Sequence, residues 1–224
     1  MIKQLFPLVS ADVALFSVGE GCLQVLLVQR GKDPAAGLWA LPGSVLKPQI
    51  DRDLEATARR ALRDKISVEV PYLEQLRTFA GADRDPRGWS MAVLHYALLP
   101  RDQVQAVVRS RVEKVLWADA DAVGQTLAFD HAAQLRLARS ALRQRVQEYA
   151  LPLHLMPKRF TLTQLQKVCE VILAPSPDEP LALDKGAFRR RFARSPDIAE
   201  IPGEFEYGAQ RPAQLFRVSQ DFRF

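Results

Sequence analysis

Two arginine-bearing stretches carry the side chains best suited to chemistry. In ADRDPRGW, residues 82–89, Arg84 and Arg87 offer forked donors that match phosphate, and Trp89 offers a ring face for a base. In LDKGAFRRRFARS, residues 183–195, Arg189, Arg190, Arg191 and Arg194 surround Phe188 and Phe192, which are four residues apart. Such a helix seats two apolar anchors and turns its cations outward to neutralise nucleic-acid phosphates, with one able to pair bidentately with guanine. Each stretch also has a plainer reading: a solvated charged hairpin for the first, and a solvated helix or a dimerisation arm for the second. Asp130 and His131 could contribute to a site, but capping of the following helix accounts for the aspartate, and a single histidine is weak grounds for catalysis. Cys22 and Cys169 lie far apart without CxxC spacing, which predicts buried free thiols in a reducing compartment.

These stretches need elements to hold them. Residues 11–16 and 23–29 are β-rich runs separated by GEG, a hairpin or neighbouring strands. In residues 53–66, Leu54, Ala58, Ala61, Leu62 and Ile66 recur at helical spacing, with Asp51 or Asp53 as the N-cap and one apolar face for a sheet. Strands follow at 68–70, 75–79, 90–99 and 115–118. Residues 129–149 form a helix that Asp130 caps and that buries Leu135, Leu142 and Val146; Arg136, Arg139, Arg143 and Arg145 make its solvated face. Two prolines in residues 150–159 end that helix and mark a domain boundary.

After the boundary, residues 161–173 predict a helix capped by Thr161, with Leu162, Leu165, Val168, Cys169 and Ile172 on its apolar face. A proline-rich linker leads to the basic helix, and residues 198–201 and 215–218 read as a β-hairpin with Arg211 near its second strand. Helix, linker, basic helix and hairpin make a winged helix. The division is residues 1–150 and 151–224.

Composition narrows the class. The apolar fraction, 48%, suffices for a core, and no run approaches a membrane span, so neither a membrane protein nor a disordered one is expected. Net charge is +5, too small an excess to signal nucleic-acid binding unless it is clustered. Residues 1–10 lack a signal peptide, and a cytoplasmic location follows.

The stretch from LPG (Leu41, Pro42, Gly43) to the helix RRALRDKI resembles the Nudix box of hydrolases that cleave nucleoside diphosphates linked to another group. A strand ending in Arg30 and the approach Trp39, Leu41, Pro42, Gly43 extend the likeness. Anchored on Arg60 and Leu62, the motif's three carboxylate positions fall on Ala61, Asp64 and Lys65, and its glycine on Ser67. Those positions share a helix face and, as carboxylates, would hold Mg²⁺ against a pyrophosphate. Only Asp64 survives. Glu55, nine residues earlier and turned by about 900°, faces the other way. The remnant of the box is Gly43, Arg60 and Asp64, with Gln49 or Asp51 near its remaining glutamate position, and no catalytic residue is assigned.

Together with PYLEQLRTFAGADRDPRGWS, FDHAAQLRLA, PKRFTLTQLQKVCEVIL and the RRRFARS and RPAQLFR segments, the chain resembles the Nudix-related transcriptional regulators of NAD metabolism. The resemblance implies an α/β fold of α+β type: a Nudix-like mixed sheet flanked by helices, then a small winged-helix domain. It implies a homodimeric repressor that binds double-stranded operator DNA and responds to ADP-ribose or a related NAD-derived nucleotide. Ligand binding is then expected of Arg30, Trp39, Arg77, Arg84, Arg87 and Trp89. DNA contact is expected of Lys158, Arg159, Lys185, Arg189, Arg190, Arg194 and Arg211. No cofactor is required, and Mg²⁺ enters only with residual hydrolase activity. The alternatives are an active hydrolase, with Asp64, Glu55 and loop acids holding Mg²⁺, and a regulator of another sugar or nucleotide.

Overall fold

Residues 8–30 form the hairpin on which the rest is assembled. β1 (Leu8–Gly19) and β2 (Cys22–Arg30) are joined by Glu20 and Gly21, with φ of 54° and 78°. Two left-handed residues give a turn whose twist matches the strands, and Gly19 duly pairs with Cys22. In the computed structural model, residues 7–103, 112–123, 126–148, 150–175, 178–207, 212–220 and 222 are described.

β1 is central to a seven-stranded mixed sheet. β3 (Trp39–Ala40) and β4 (Gly43–Val45) border it on one side, β3 pairing with β2 and β4 with the start of β1. β5 (Tyr72–Gly81) lies antiparallel to β6 (Ser90–Leu98), which runs parallel to β1 with Leu8 opposite Ser90 and Phe16 opposite Leu98. β7 (Val112–Asp119) pairs with β2. Residues 11–17 of β1 are buried on both faces because each face meets a helix.

α1 (Leu54–Ile66) covers one face, setting Ala58, Leu62 and Ile66 on Ala11, Val13 and Leu15. α2 (His131–Glu148) covers the other, setting Leu135, Ala138 and Leu142 on Ala14 and Phe16. Completely burying a side chain such as Leu62 contributes about 2 kcal/mol relative to exposure.

Asp53 caps α1 by accepting from the Ala56 N–H at 2.6 Å. At the other end Ser67, at the motif-glycine position, adopts the left-handed conformation with φ of 57°. That reversal sends the Val68 N–H to the Leu62 carbonyl, so residues 68–70 finish a helix and plug the core instead of forming the expected strand.

The tail is a second, smaller assembly. β8 (Phe160–Thr161), too short to announce itself in sequence, pairs with β10 (Ala213–Val218), which pairs with β9 (Ile198–Glu206). α3 (Leu162–Leu173) begins with a capping box between Thr161 and Gln164. α4 (Lys185–Phe192) is shorter than the expected 183–195, since Asp184 caps it and the backbone closes at Ala193. Phe160, Leu165, Phe188, Phe192 and Phe216 form the tail's core. Leu151, Leu155 and Ile172 instead join the core under α2, so the two assemblies share apolar contacts.

Both cysteines are free; Cys169 is buried, whereas Cys22 is only partly so. Burial pushes the Cys169 thiol up to about 12. Among the described residues, no helix is long and apolar enough to cross a membrane.

Candidate functional site

α1 presents Arg60, Ala61, Asp64 and Lys65 to a cleft of about 1000 Å³. β4 and the loop after it add Gly43 and Lys47, the end of β2 and the loop that follows add Arg30, Lys32 and Asp33, and the loop before β6 adds Arg87. Glu55 bonds Arg59 instead. The box positions facing the cleft thus hold a methyl, one carboxylate and an ammonium, a donor set that does not fit Mg²⁺. No cluster of three or more metal-ligating side chains occurs among the described residues.

The remnant box is held rigidly. Arg60 donates to both oxygens of Asp51 at 2.7 and 2.6 Å, to Ser44 Oγ at 2.8 Å and to the Val45 carbonyl at 2.9 Å. Asp51 also accepts from the Lys47 N–H at 2.8 Å and from Thr57 Oγ1 at 3.1 Å. Asp51 therefore does not cap the helix; it locks the loop to it, and the hydrogen bonds from Arg60 hold its carboxyl well below the usual range.

A second buried network lies behind Gly43. A Cβ there would stand 2.1 Å from Asp12 Oδ1, so the glycine of LPG is needed for close approach to β1. Asp12 accepts from Gln134 Nε2 at 3.0 Å and lies 3.5 Å from His131 Nε2. The Leu41 N–H donates to His131 Nδ1 at 2.9 Å, which keeps the proton of the neutral ring on Nε2, toward Asp12. Burial raises the Asp12 pKa, but His131, Gln134 and Arg84 outweigh it, and the net shift is downward.

This network corrects two expectations. Arg84 is not a phosphate clamp: it grips Asp130 at 2.8 and 2.9 Å, donates to Ser90 Oγ at 3.2 Å, and is nearly buried. Asp130 does not cap α2 with its side chain, because that carboxylate serves Arg84 and Gln134 while its carbonyl takes the Ala133 and Gln134 N–H groups.

Of the six residues expected at the ligand, Arg30 and Arg87 reach the cleft. Arg30 bonds the Pro34 carbonyl at 2.9 Å and stacks 4.8 Å over Phe129; burial, and then the like charge of Arg87, lower its pKa. Arg87 is oriented by a bidentate pair with Asp85 at 2.7 and 2.9 Å. Trp39 packs into the core on the α2 face, away from the cleft on the α1 face. Arg77 is exposed on β5, beyond β6 at the sheet's far edge, and Trp89 is exposed without lining the cleft.

The tail offers a separate basic surface. Phe188 and Phe192 point into its core, leaving Lys185, Arg189, Arg190 and Arg194 exposed. Lys158 is also exposed, while Arg159, expected at DNA, is paired with Glu204 of β9. Arg211 lies outside the described residues.

The expected solvated face of α2 is largely a joint. Arg139 and Arg143 both hold Asp121, at 3.0 and 2.8 Å, and Arg145 pairs with Glu74. Arg143 also donates to the carbonyls of Ile172 and Ala174 at 2.9 and 2.6 Å, placing a cation on the C-terminal end of α3. Of the four, Arg136 alone stays exposed, the others being half-buried.

Sequence reading missed Asp12, Gln134, Asp121 and Lys47. No local signal marks Asp12 and Asp121, whose charged partners are distant in the chain, or the bond from Gln134 to Asp12. Lys47 follows the LPG turn closely enough to have been suspected.

Comparison with known proteins matches residues 7–139 to the NUDIX domain and residues 152–218 to the NrtR DNA-binding winged helix domain. An ADPR responsive transcriptional repressor, NtrR, from Acinetobacter baylyi is 40% identical over 220 residues, covering 97% of this chain and 85% of that protein. Shewanella oneidensis NrtR in complex with a 27mer DNA superposes with a TM-score of 0.83 at 35% identity, over 94% of this chain and 93% of that one. The NUDIX domain of the same S. oneidensis protein, complexed with ADP ribose, matches with a TM-score of 0.57 at 40% identity, over 62% of this chain and 90% of that one. The chain belongs to the NrtR family, in which a NUDIX domain is followed by the NrtR winged helix.

Proposed function

We propose that this chain is a transcriptional repressor whose tail binds double-stranded operator DNA and whose cleft binds ADP-ribose as effector without cleaving it. The observation that carries the reading is the pairing, in one chain, of a cation-lined Nudix cleft lacking two of three metal carboxylates with an exposed basic helix. Residues 1–150 sense and residues 151–224 grip. A homodimer supplies two basic helices to half-sites about one DNA turn apart, and the protein works in the cytoplasm, where its operator and nucleotide meet.

α2 is the physical route between the sites. Its 18 residues span about 27 Å at 1.5 Å per residue. One end carries Asp130, His131 and Gln134, tied through Arg84 to the loop that bears Arg87; the other carries Arg143, tied to the end of α3. Ligand that binds the DNA-free arrangement better shifts the protein toward it through this rod and releases the operator.

The test selects bound DNA from a random pool and then measures affinity by fluorescence anisotropy with and without ADP-ribose. Arg189→Ala with Arg190→Ala should reduce the slope of log affinity against log salt by about two. An unchanged slope removes those residues from the interface. Mg²⁺-dependent release of AMP from ADP-ribose would overturn the assignment in favour of a hydrolase.

A further inference from the structure

The cations of α4 do not share one direction. Arg190 follows the core anchor Phe188 by two residues and precedes Phe192 by two, so it is turned by about 200° from each, onto the far side of the helix. Lys185 and Arg189, four residues apart, stand on one flank, within about 100° of both anchors. Arg191 stands on the other flank and rests its guanidinium over the Phe192 ring, 5.5 Å from the centroid. Arg194 lies past the helix end, which closes at Ala193. One turn from Arg190 on its own face are Gly186 and Ala193, both exposed and neither carrying more than a methyl group.

We propose that Arg190 reads a guanine of the operator through its O6 and N7 in the major groove, while Lys185 and Arg189 hold the phosphate backbone beside it. The inference rests on the reading of the tail as operator-binding and adds which side chain carries the sequence choice. The guanidinium of Arg190 lies back over the first turn of α4: its Nη1 would stand 3.2 Å from a Cβ at Gly186, and Asp184 Oδ1 would stand 3.4 Å from the same point. Asp184 is fixed there by accepting from the Ala187 N–H at 2.6 Å. A phosphate brought to this guanidinium meets the carboxylate too, and the like charges repel. The guanine edge instead brings two uncharged acceptors that match the guanidinium fork. With only a hydrogen at Gly186 and a methyl group at Ala193, the helix can sink until that fork meets the base edges. The flank of a helix in the groove faces a wall of phosphates, which suits Lys185 and Arg189. The charge of Arg190 still displaces counter-ions from the groove, so sequence choice and not salt dependence separates it from Arg189.

The full chain, Arg189→Ala and Arg190→Ala are each carried through selection of bound DNA from a random pool. R190A should lose the preference for guanine at one position of each half-site and keep the rest of the motif, whereas R189A should select the unaltered motif with weaker binding. The guanine so identified is then replaced by 7-deazaguanine, which lacks the N7 acceptor, and affinity is measured by fluorescence anisotropy. The unsubstituted chain should bind this DNA roughly fivefold more weakly, as expected for one hydrogen bond lost from a bidentate pair. R190A should change by less than about twofold, having no bond there to lose. Both side chains are exposed, so circular dichroism serves to confirm that the variants are folded. An R190A motif that matches the parent's at every position, an R189A motif that lacks the guanine, or equal sensitivity of parent and R190A to 7-deazaguanine overturns the inference while leaving operator binding standing. An unsubstituted chain that enriches no DNA overturns the operator-binding reading, and this inference with it.

Discussion

Replacing Arg60 by Met tests whether the Nudix scaffold survives here as structure. The guanidinium makes four hydrogen bonds at 2.6 to 2.9 Å, and the side chains of Arg60 and Asp51 are only 6% and 2% exposed. Swapping both charges for apolar groups is often close to neutral, but removing one partner of a buried pair costs about 3 to 5 kcal/mol because the other charge is stranded. Asp51 would keep its bonds from the Lys47 N–H and Thr57 Oγ1, which places the expected loss near the lower figure, about 3 kcal/mol. That is a large part of a total of about 5–15 kcal/mol. Urea unfolding followed by tryptophan fluorescence measures it, and D51N with the R60M/D51N double variant completes a cycle in which the pair should couple by more than about 1.5 kcal/mol. Protonation gives an independent readout. The hydrogen bonds from Arg60 depress the folded-state pKa of Asp51 below its ordinary value of 3.8, so its contribution is present above pH 3.8 and is lost as pH falls through the folded value. R60M should flatten this acid limb. R60M within about 1 kcal/mol of the parent at neutral pH, or an additive cycle, would refute the lock.

Two further substitutions probe the other contacts. Gly43→Ala forces a Cβ to 2.1 Å from Asp12 Oδ1 and 3.2 Å from the Ala11 carbonyl, and should cost about 2 kcal/mol in urea unfolding. Gly43→Ala with parental stability would mean that the strands separate freely there. Arg143→Ala removes the bonds to Asp121, Ile172 and Ala174 while Arg139 still holds Asp121. It should cost about 2 kcal/mol and shrink the change in operator affinity on adding ADP-ribose. An unaltered response in anisotropy would remove α2 as the route.

Local patterns reached far in this chain. The paired strands at 11–16 and 23–29, the amphipathic helix after Asp53, the cap at Thr161 and the two phenylalanines of the basic helix all follow from spacing over a few residues, which is where helix and turn energetics operate. The degraded box was equally legible, because Ala61 and Lys65 are wrong for a metal wherever the helix sits.

Tertiary structure decided what each charge does. Arg84 and Arg87, three residues apart in one loop, have opposite fates: the first is consumed by Asp130, 46 residues away, and the second faces the cleft. Arg143 looks like any surface cation of an amphipathic helix until α3 brings two carbonyls to it. The physical reason is range. Apolar periodicity is set within one turn or one strand, so sequence alone determined the longer helices and strands and the apolar faces they bury. A guanidinium's partner is whatever carboxylate, carbonyl or phosphate the assembled fold places within about 3 Å, and only the packing of distant segments determines that.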